Sequence, residues 1–252
     1  MGYTVSSVDT ALQLLEAIAD NPKIGVTELA NITGNTKSQV FRLLYTLEGR
    51  GYVRKDPIFR TYTLGYQAMY IGEHSKKQTD LLGIAQPYLE QLGTLCLENV
   101  HLIVREANRS VCIALRESPQ DLRLYAQVGR RGPLHAGGGS KVLLAYAPKE
   151  LQDSVLQGPL ESFTAATITD AQQLRQVLRQ IKDDGHHLAI SDLDNGAFSI
   201  AAPIYDYSGT VVAALSIAGP IYRLTDETLA SHQQLVVQFS NKISQALGWR
   251  IN

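Results

Sequence analysis

At 252 residues, with 44% hydrophobic and 19% charged side chains, the chain has the composition of a folded protein of one or two domains, which excludes long disorder. Its formal net charge of −1 gives no whole-molecule attraction for nucleic acid or an acidic membrane surface, so any polyanion site must be local. The two cysteines, Cys96 and Cys112, match neither zinc nor redox spacing and read as small buried apolar residues of a reducing compartment.

The opening "MGYTVSS" lacks the basic and apolar regions of a signal peptide, and no run of about 18 apolar residues is present to span a membrane, so the expected location is the cytoplasm. Gly2 followed by Ser6 satisfies the short myristoylation pattern, without the neighbouring basic cluster that firm anchoring requires. From residue 7 to 20, Val8, Ala11, Leu12, Leu14, Leu15 and Ile18 recur at helical spacing, with Ser7 as the expected N-cap and Asn21-Pro22 as the stop. Thr27 is the expected cap of a second short helix through Ile32, and Gly34-Asn35 supplies a turn that tolerates left-handed geometry. A third helix is predicted over 36–50, with Val40, Leu43, Leu44 and Leu47 inward and Gly51 closing it.

"GYVRKDPIFRTYTLG" follows and reads as a hairpin with Asp56-Pro57 in its loop. Three helices and a hairpin in about 60 residues form a compact module. A connecting helix is predicted over 65–73, and the polar stretch "EHSKKQTD" marks the boundary between residues 1–76 and 77–252. Beyond it lie an amphipathic helix over 81–97, broken or started by Pro87, and strands at "VHLIVRE", "SVCIALRE" and "RLYAQV". Helices are expected after "HAGGGSK", at "PKELQDSVL" and over 170–183. The apolar strands "FSIAAPIYD" and "TVVAALSIAG" form a hairpin through Tyr207-Ser208-Gly209, and a last helix covers 226–247. The fold class is therefore α+β, with helices covering one face of an antiparallel sheet.

The stretch "TELANITGNTKSQVFRLLYTLEGRGY" has the requirements of a helix-turn-helix. Ala30 is small where the helices touch, Gly34 tolerates the turn, and Val40 holds the second helix down. With Val40, Leu43, Leu44 and Leu47 inward, Lys37, Ser38, Gln39, Arg42 and Tyr45 point outward, and these side chains bond base edges and phosphates. Between residues 37 and 60, Lys37, Arg42, Arg50, Arg54, Lys55 and Arg60 oppose only Glu48 and Asp56. That local excess is the electrostatic footprint concealed by the net charge, and it favours winged-helix DNA binding over an ordinary solvated helix. The candidate DNA contacts are Thr36, Lys37, Ser38, Gln39, Arg42 and Tyr45 on the helix, with Arg54, Lys55 and Arg60 on the hairpin.

The ordered set "SVDTALQLLEAIAD", "VTELANITG", "KSQVFRLLYTLEGRGYV", "YTLG", "LHAGGGSKVLLA" and "IAAPIYDYSGTVVAALSIAGP" resembles the IclR-type bacterial transcriptional regulators over nearly the whole chain. The resemblance implies an N-terminal module that binds double-stranded operator DNA. It also implies a C-terminal, GAF-like sheet flanked by helices that binds a small effector and builds homodimers or homotetramers.

Gly137-Gly138-Gly139-Ser140 opens a helix, and a helix N-terminus with close backbone approach suits a carboxylate, with Lys141 beside it. The alternative is that the glycines merely permit a turn and tight packing. By the resemblance, Gly138 and Gly139 match effector contacts, Ser199 and Ser216 match polar positions on the two apolar strands, and Leu124 matches an apolar wall. The acidic residue common before the "IAAP" strand has no secure counterpart, because Ile190 occupies its place while Asp192 and Asp194 lie downstream. Ala218 replaces a second serine. The candidate effector set is Leu124, Gly138, Gly139, Ser140, Asp192, Ser199 and Ser216, and the departures favour an aromatic acid or other organic acid larger or less polar than a small keto acid.

An enzyme is the main alternative class. His101, His135, His186 and His187 with Asp192 or Asp194 have no metal-ligand spacing, and Ser140 lacks a nucleophile-elbow sequence, so neither catalytic residues, metal nor cofactor are expected. A winged-helix protein-interaction module is the third class. The expected mechanism is linkage: effector binding changes operator affinity, with repression of a catabolic operon the leading direction and activation the alternative.

Overall fold

The computed structural model describes residues 3–78, 81–125 and 127–250; Gly2, with its acylation pattern, lies outside them, as does Ala126. The chain divides into two compact units, Met1–Thr79 and Asp80–Asn252.

The first unit runs α1 (Ser6–Asp20), β1 (Ile24–Gly25), α2 (Val26–Thr33), α3 (Lys37–Gly49), β2 (Val53–Lys55), β3 (Thr61–Leu64) and α4 (Tyr66–Gln78). Leu14, Ile18, Leu29, Val40, Leu44, Val53 and Tyr62 are almost wholly buried in one cluster that joins the three helices to the hairpin. Each full burial of such a side chain contributes about 2 kcal/mol, the main driving force of so small a module.

Two expected caps differ. α1 starts after extended Val5 with no side-chain cap, so Ser7 lies inside the first turn, whose exposed amides are left to water. α2 starts directly at Gly25, which pairs with Thr61 in the sheet, and Glu28 Oε2 accepts from the Gly25 amide at 3.1 Å. With no loop between strand and helix, Thr27 is already helical. β1 is too short for any periodic signal. Gly34, at φ 66°, makes the left-handed turn between α2 and α3.

α4 is hydrogen-bonded through its backbone to the turn that follows α3. Gly65 donates to Tyr52 O at 2.7 Å and Gln67 donates to Gly51 O at 3.1 Å. A Cβ on Gly65 would stand 2.1 Å from Gly51 O, so only glycine fits.

The second unit runs α5 (Leu81–Cys96), β4 (Asn99–Glu106), β5 (Arg109–Arg116), β6 (Arg131–Pro133), α6 (Gly138–Ala145), α7 (Lys149–Gln157), α8 (Ala171–Asp184), β7 (His187–Ile190), β8 (Ala197–Tyr205), β9 (Val211–Pro220), a 3-10 turn (Ile221–Arg223) and α9 (Asp226–Ala246). The strands form one antiparallel sheet in the order β6-β5-β4-β9-β8-β7.

Helices cover both faces, not one. Val100, Leu102, Ile200, Ala202, Ile204, Leu215 and Ile217 meet α5 and α9, while Ala201 and Ala214 meet Val142, Leu144, Leu174, Leu178 and Ile181 of α6 and α8. The continuous apolar runs of β8 and β9 are the signature of strands buried on both sides. Pro87 lies inside α5 without breaking it, because Ala85, Leu89, Leu92 and Cys96 bury a face whose packing outweighs the ~3 kcal/mol penalty of an interior proline. The strand expected at "RLYAQV" is absent among the described residues: Tyr125 and Val128 are exposed, and Arg131–Pro133 takes the edge beside β5.

Gly65→Ala should destabilise the first unit by at least about 2 kcal/mol, since backbone rather than a movable side chain must give way. Gly49→Ala, which meets nothing within 4 Å, is the control and should leave the urea midpoint of that unit unchanged or raise it.

Candidate functional site

The outward face of α3 begins with a complete capping box. Gln39 N donates to Thr36 Oγ1 at 3.3 Å, and Gln39 Oε1 accepts from Thr36 N at 3.1 Å and Thr36 Oγ1 at 2.9 Å. These two expected DNA contacts therefore hold the helix start. Lys37, Ser38, Arg42 and Tyr45 are exposed along the next two turns, while Val40 and Leu44 are buried beneath. On the hairpin, Asp56 Oδ1 accepts from the amides of Ile58 and Phe59, which fixes the loop and holds the Asp56 carboxyl below its usual range. Arg54 and Arg60 are exposed, and the Arg54 guanidinium stands 4.9 Å from the Tyr66 ring centroid. The Lys55 ammonium lies 5.7 Å from the ring of Phe41 and 5.9 Å from that of Tyr62. The salt bridges among the described residues all lie in the second unit, so these cations carry no carboxylate partner there.

In the second unit, Leu124, Gly138, Gly139, Ser140, Asp192, Ser199 and Ser216 line a single cavity of about 130 Å³. Its floor is the sheet face carrying His101, Ile103, Ser199 and Ser216, and its end is the start of α6. Packing demands glycine at 138, where a Cβ would lie 2.3 Å from Ser199 Oγ and 2.7 Å from Ser199 O, whereas a Cβ on Gly139 would lie 2.5 Å from Ile103 Cδ1, the movable end of a side chain. The same approach brings the helix amides to the cavity.

Those amides are shared out unequally. Gly137 N donates to Asp192 Oδ2 at 2.7 Å and Gly138 N to Ser199 Oγ at 3.0 Å. Lys141 N donates to Gly137 O at 3.1 Å, while the intervening amides of Gly139 and Ser140 have no acceptor among the described residues. Two adjacent N–H groups without an acceptor at a helix N-terminus are a backbone arrangement that suits an anion. The Ser140 hydroxyl is bonded to Ser110 Oγ at 2.8 Å.

Lys141 does not face this site. Its Nζ lies 2.7 Å from Asp192 Oδ2, both side chains being almost fully buried. Asp192 Oδ1 and His187 Nε2 are buried without a hydrogen-bond partner among the described residues. Burial first, then Lys141, then His186 push His187 down to about 3. On the cavity floor, burial and then Arg130 push His101 down to about 4, so its imidazole is neutral near pH 7.

The sequence reading missed Phe41, His101, Ser110 and Arg130. His101 was reachable from alternation in "VHLIVRE", where Val100 and Leu102 take one face and residue 101 the other. Ser110 and Arg130 carry no comparable signal, since only the folded sheet brings them to the α6 start. Arg130 pairs with Asp194 at 2.9 Å at the cavity edge. Among the described residues no three His, Cys, Asp or Glu side chains converge as metal ligands do, and no helix is long and apolar enough to cross a membrane.

The depressed histidines make a stability prediction. A group whose folded pKa lies below its ordinary value near 6.5 stabilises the native state above that value, and the stabilisation disappears as pH falls towards the folded value. The thermal midpoint should be flat above pH ~7 and decline from about 6.5 towards 5, before ordinary carboxylates titrate, and a His101→Gln, His187→Gln double variant should show a shallower decline.

Residues 7–57 match the family described as the IclR helix-turn-helix domain, and residues 73–245 match the bacterial transcriptional regulator IclR C-terminal family. The chain is 31% identical over 247 residues to the HTH-type transcriptional regulator KdgR of Escherichia coli K12, covering 98% of this chain and 94% of that one. It is 35% identical over 212 residues to the HTH-type transcriptional repressor AllR of Klebsiella pneumoniae, covering 84% and 78%. A crystal structure of an IclR homologue complexed with 4-hydroxybenzoate, from Microbacterium hydrocarbonoxydans, superposes with a TM-score of 0.62 at 23% identity, covering 96% of this chain and 98% of that one. These relatives are regulators rather than enzymes, and with both family matches falling on the two units in order, the chain belongs to the IclR family of bacterial transcriptional regulators.

Proposed function

We propose that this protein is a cytoplasmic repressor of a catabolic operon that releases its operator when a small organic acid binds. Residues 1–76 read DNA; residues 77–252 bind the effector and assemble the chain into a homodimer or homotetramer, which places two reading heads on paired half-sites. The observation that carries the effector reading is the pair of amides without an acceptor, Gly139 and Ser140, at the end of a cavity whose lining includes the apolar Ile103, Leu124 and Ala189. A carboxylate meets the amides while an apolar body fills the rest. Its volume, about 130 Å³, is close to the roughly 150 Å³ of an apolar cavity that accepts benzene, which suits a benzoate-sized acid. The ligand of the Microbacterium homologue, 4-hydroxybenzoate, belongs to that chemical class. The repressor direction follows the description of AllR, and activation is the alternative sign of the same linkage.

For DNA, Arg42→Ala and Lys37→Ala should each weaken operator binding about 5- to 30-fold in mobility shifts, with Lys37→Ala also lowering the salt slope by about one. Effector binding should be unchanged in both variants, and equal operator affinity would refute the assignment of α3. For the effector, calorimetry against benzoate, 4-hydroxybenzoate and two- and three-carbon keto acids should favour the aromatic acids. Gly138→Ala, whose Cβ meets the Ser199 backbone oxygen at 2.7 Å, should reduce that binding at least about tenfold while sparing operator affinity. Binding by keto acids alone would reject the aromatic assignment.

A further inference from the structure

One side chain on the reading face of α3 has no polar chemistry to offer. Phe41 is 49% exposed, lies one turn from Lys37 and Tyr45, and adjoins Arg42. An exposed phenyl ring among cations and hydroxyls gains nothing from water. The Lys55 ammonium approaches it at 5.7 Å from the wing side and leaves much of the ring open. Gln39, the one carboxamide expected to bond a base, spends its side-chain oxygen on the Thr36 cap. With only its Nε2 group left to donate, Gln39 shares base discrimination by α3 with Lys37, Ser38, Arg42, Tyr45 and Phe41. In the major groove every base-edge group that distinguishes one pair from another is a hydrogen-bond donor or acceptor, except the thymine C5-methyl.

We propose that Phe41 is a specificity-determining residue that reads one thymine in each half-site by packing its ring on the C5-methyl group. The proposal rests on α3 being the DNA-reading helix. A phenyl ring cannot replace the hydrogen bonds that water makes to a bare base edge, so cytosine or a purine edge at that position leaves polar groups unpaired. Thymine offers an apolar surface instead. Phe41 thus contributes sequence preference, while Lys37, Arg42, Arg54 and Arg60 contribute attraction to phosphates.

The test uses the full chain and a duplex selected with it from a randomised pool. Each thymine of the selected duplex is replaced in turn by deoxyuridine, which keeps every hydrogen bond and removes only the methyl. One position per half-site is expected to cost the unaltered protein about fourfold in affinity, the equivalent of one buried methyl. Phe41→Ala should bind the thymine and deoxyuridine duplexes equally, and Phe41→Met, which restores an apolar contact, should recover the discrimination. Indifference of the unaltered protein to every deoxyuridine overturns the proposal while leaving DNA reading by α3 intact. So does a Phe41→Ala protein that still loses fourfold, or one that loses affinity equally for all duplexes with a changed oligomeric state, which would place Phe41 against a second copy of the chain. Failure to select any specific duplex overturns the DNA-reading assignment, and this proposal with it.

Discussion

A helix cannot satisfy its own first amides, and both functional ends of this protein are built on how that debt is met. At α3 the answer is local and complete: Thr36 and Gln39 bond each other's backbone, so the reading helix starts at a defined residue and its next two turns present fixed side chains. At α6 the answer is remote and incomplete. Asp192 and Ser199, more than 50 residues downstream, take the amides of Gly137 and Gly138, and the following two amides have no acceptor among the described residues. The first helix start is closed by its own residues; the second lies open at the cavity.

The buried pair behind α6 keeps that open end receptive. Taking Asp192 and Lys141 out of water costs several kcal/mol for each ion, and their 2.7 Å contact with the Gly137 amide on the same oxygen offsets much of it. Had Asp192 stood alone, its charge would repel an incoming carboxylate. Paired with Lys141, and with His187 kept neutral by burial, the group is electrically balanced. The helix amides at the cavity end add a partial positive charge that favours an anion.

The sequence exposed what depends on period and turn chemistry. The three helices and hairpin of the first unit, the glycine turn at Gly34 and the apolar β8–β9 hairpin all follow from spacing along a short segment. All seven expected effector residues line one cavity, because the α6 start and the strand serines lie in segments whose fold the pattern specifies. What stayed hidden depends on partners far away in the chain. A two-residue strand such as β1 has no period, the expected strand at "RLYAQV" lost its edge to Arg131–Pro133, and the second covered face of the sheet follows from where α6 and α8 pack. Lys141 looked like a cation at the helix mouth because adjacency in sequence hides that its side chain turns back to Asp192.

α4, the last element of the first unit, joins the turn that follows α3. The junction between them is backbone against backbone, with Gly65 pressed on Gly51 and two amide bonds across it, so it has no rotamer with which to yield. Tyr66, the first residue of α4, also lies beneath the Arg54 guanidinium of the wing. α4 is thus tied both to the turn after α3 and to the wing. α3 is separately closed by its own capping box, so its start does not depend on that junction. On the proposed reading, effector binding would change the placement of an intact reader rather than what it reads, and a coupling of about 1–3 kcal/mol corresponds to a roughly 5- to 150-fold change in affinity.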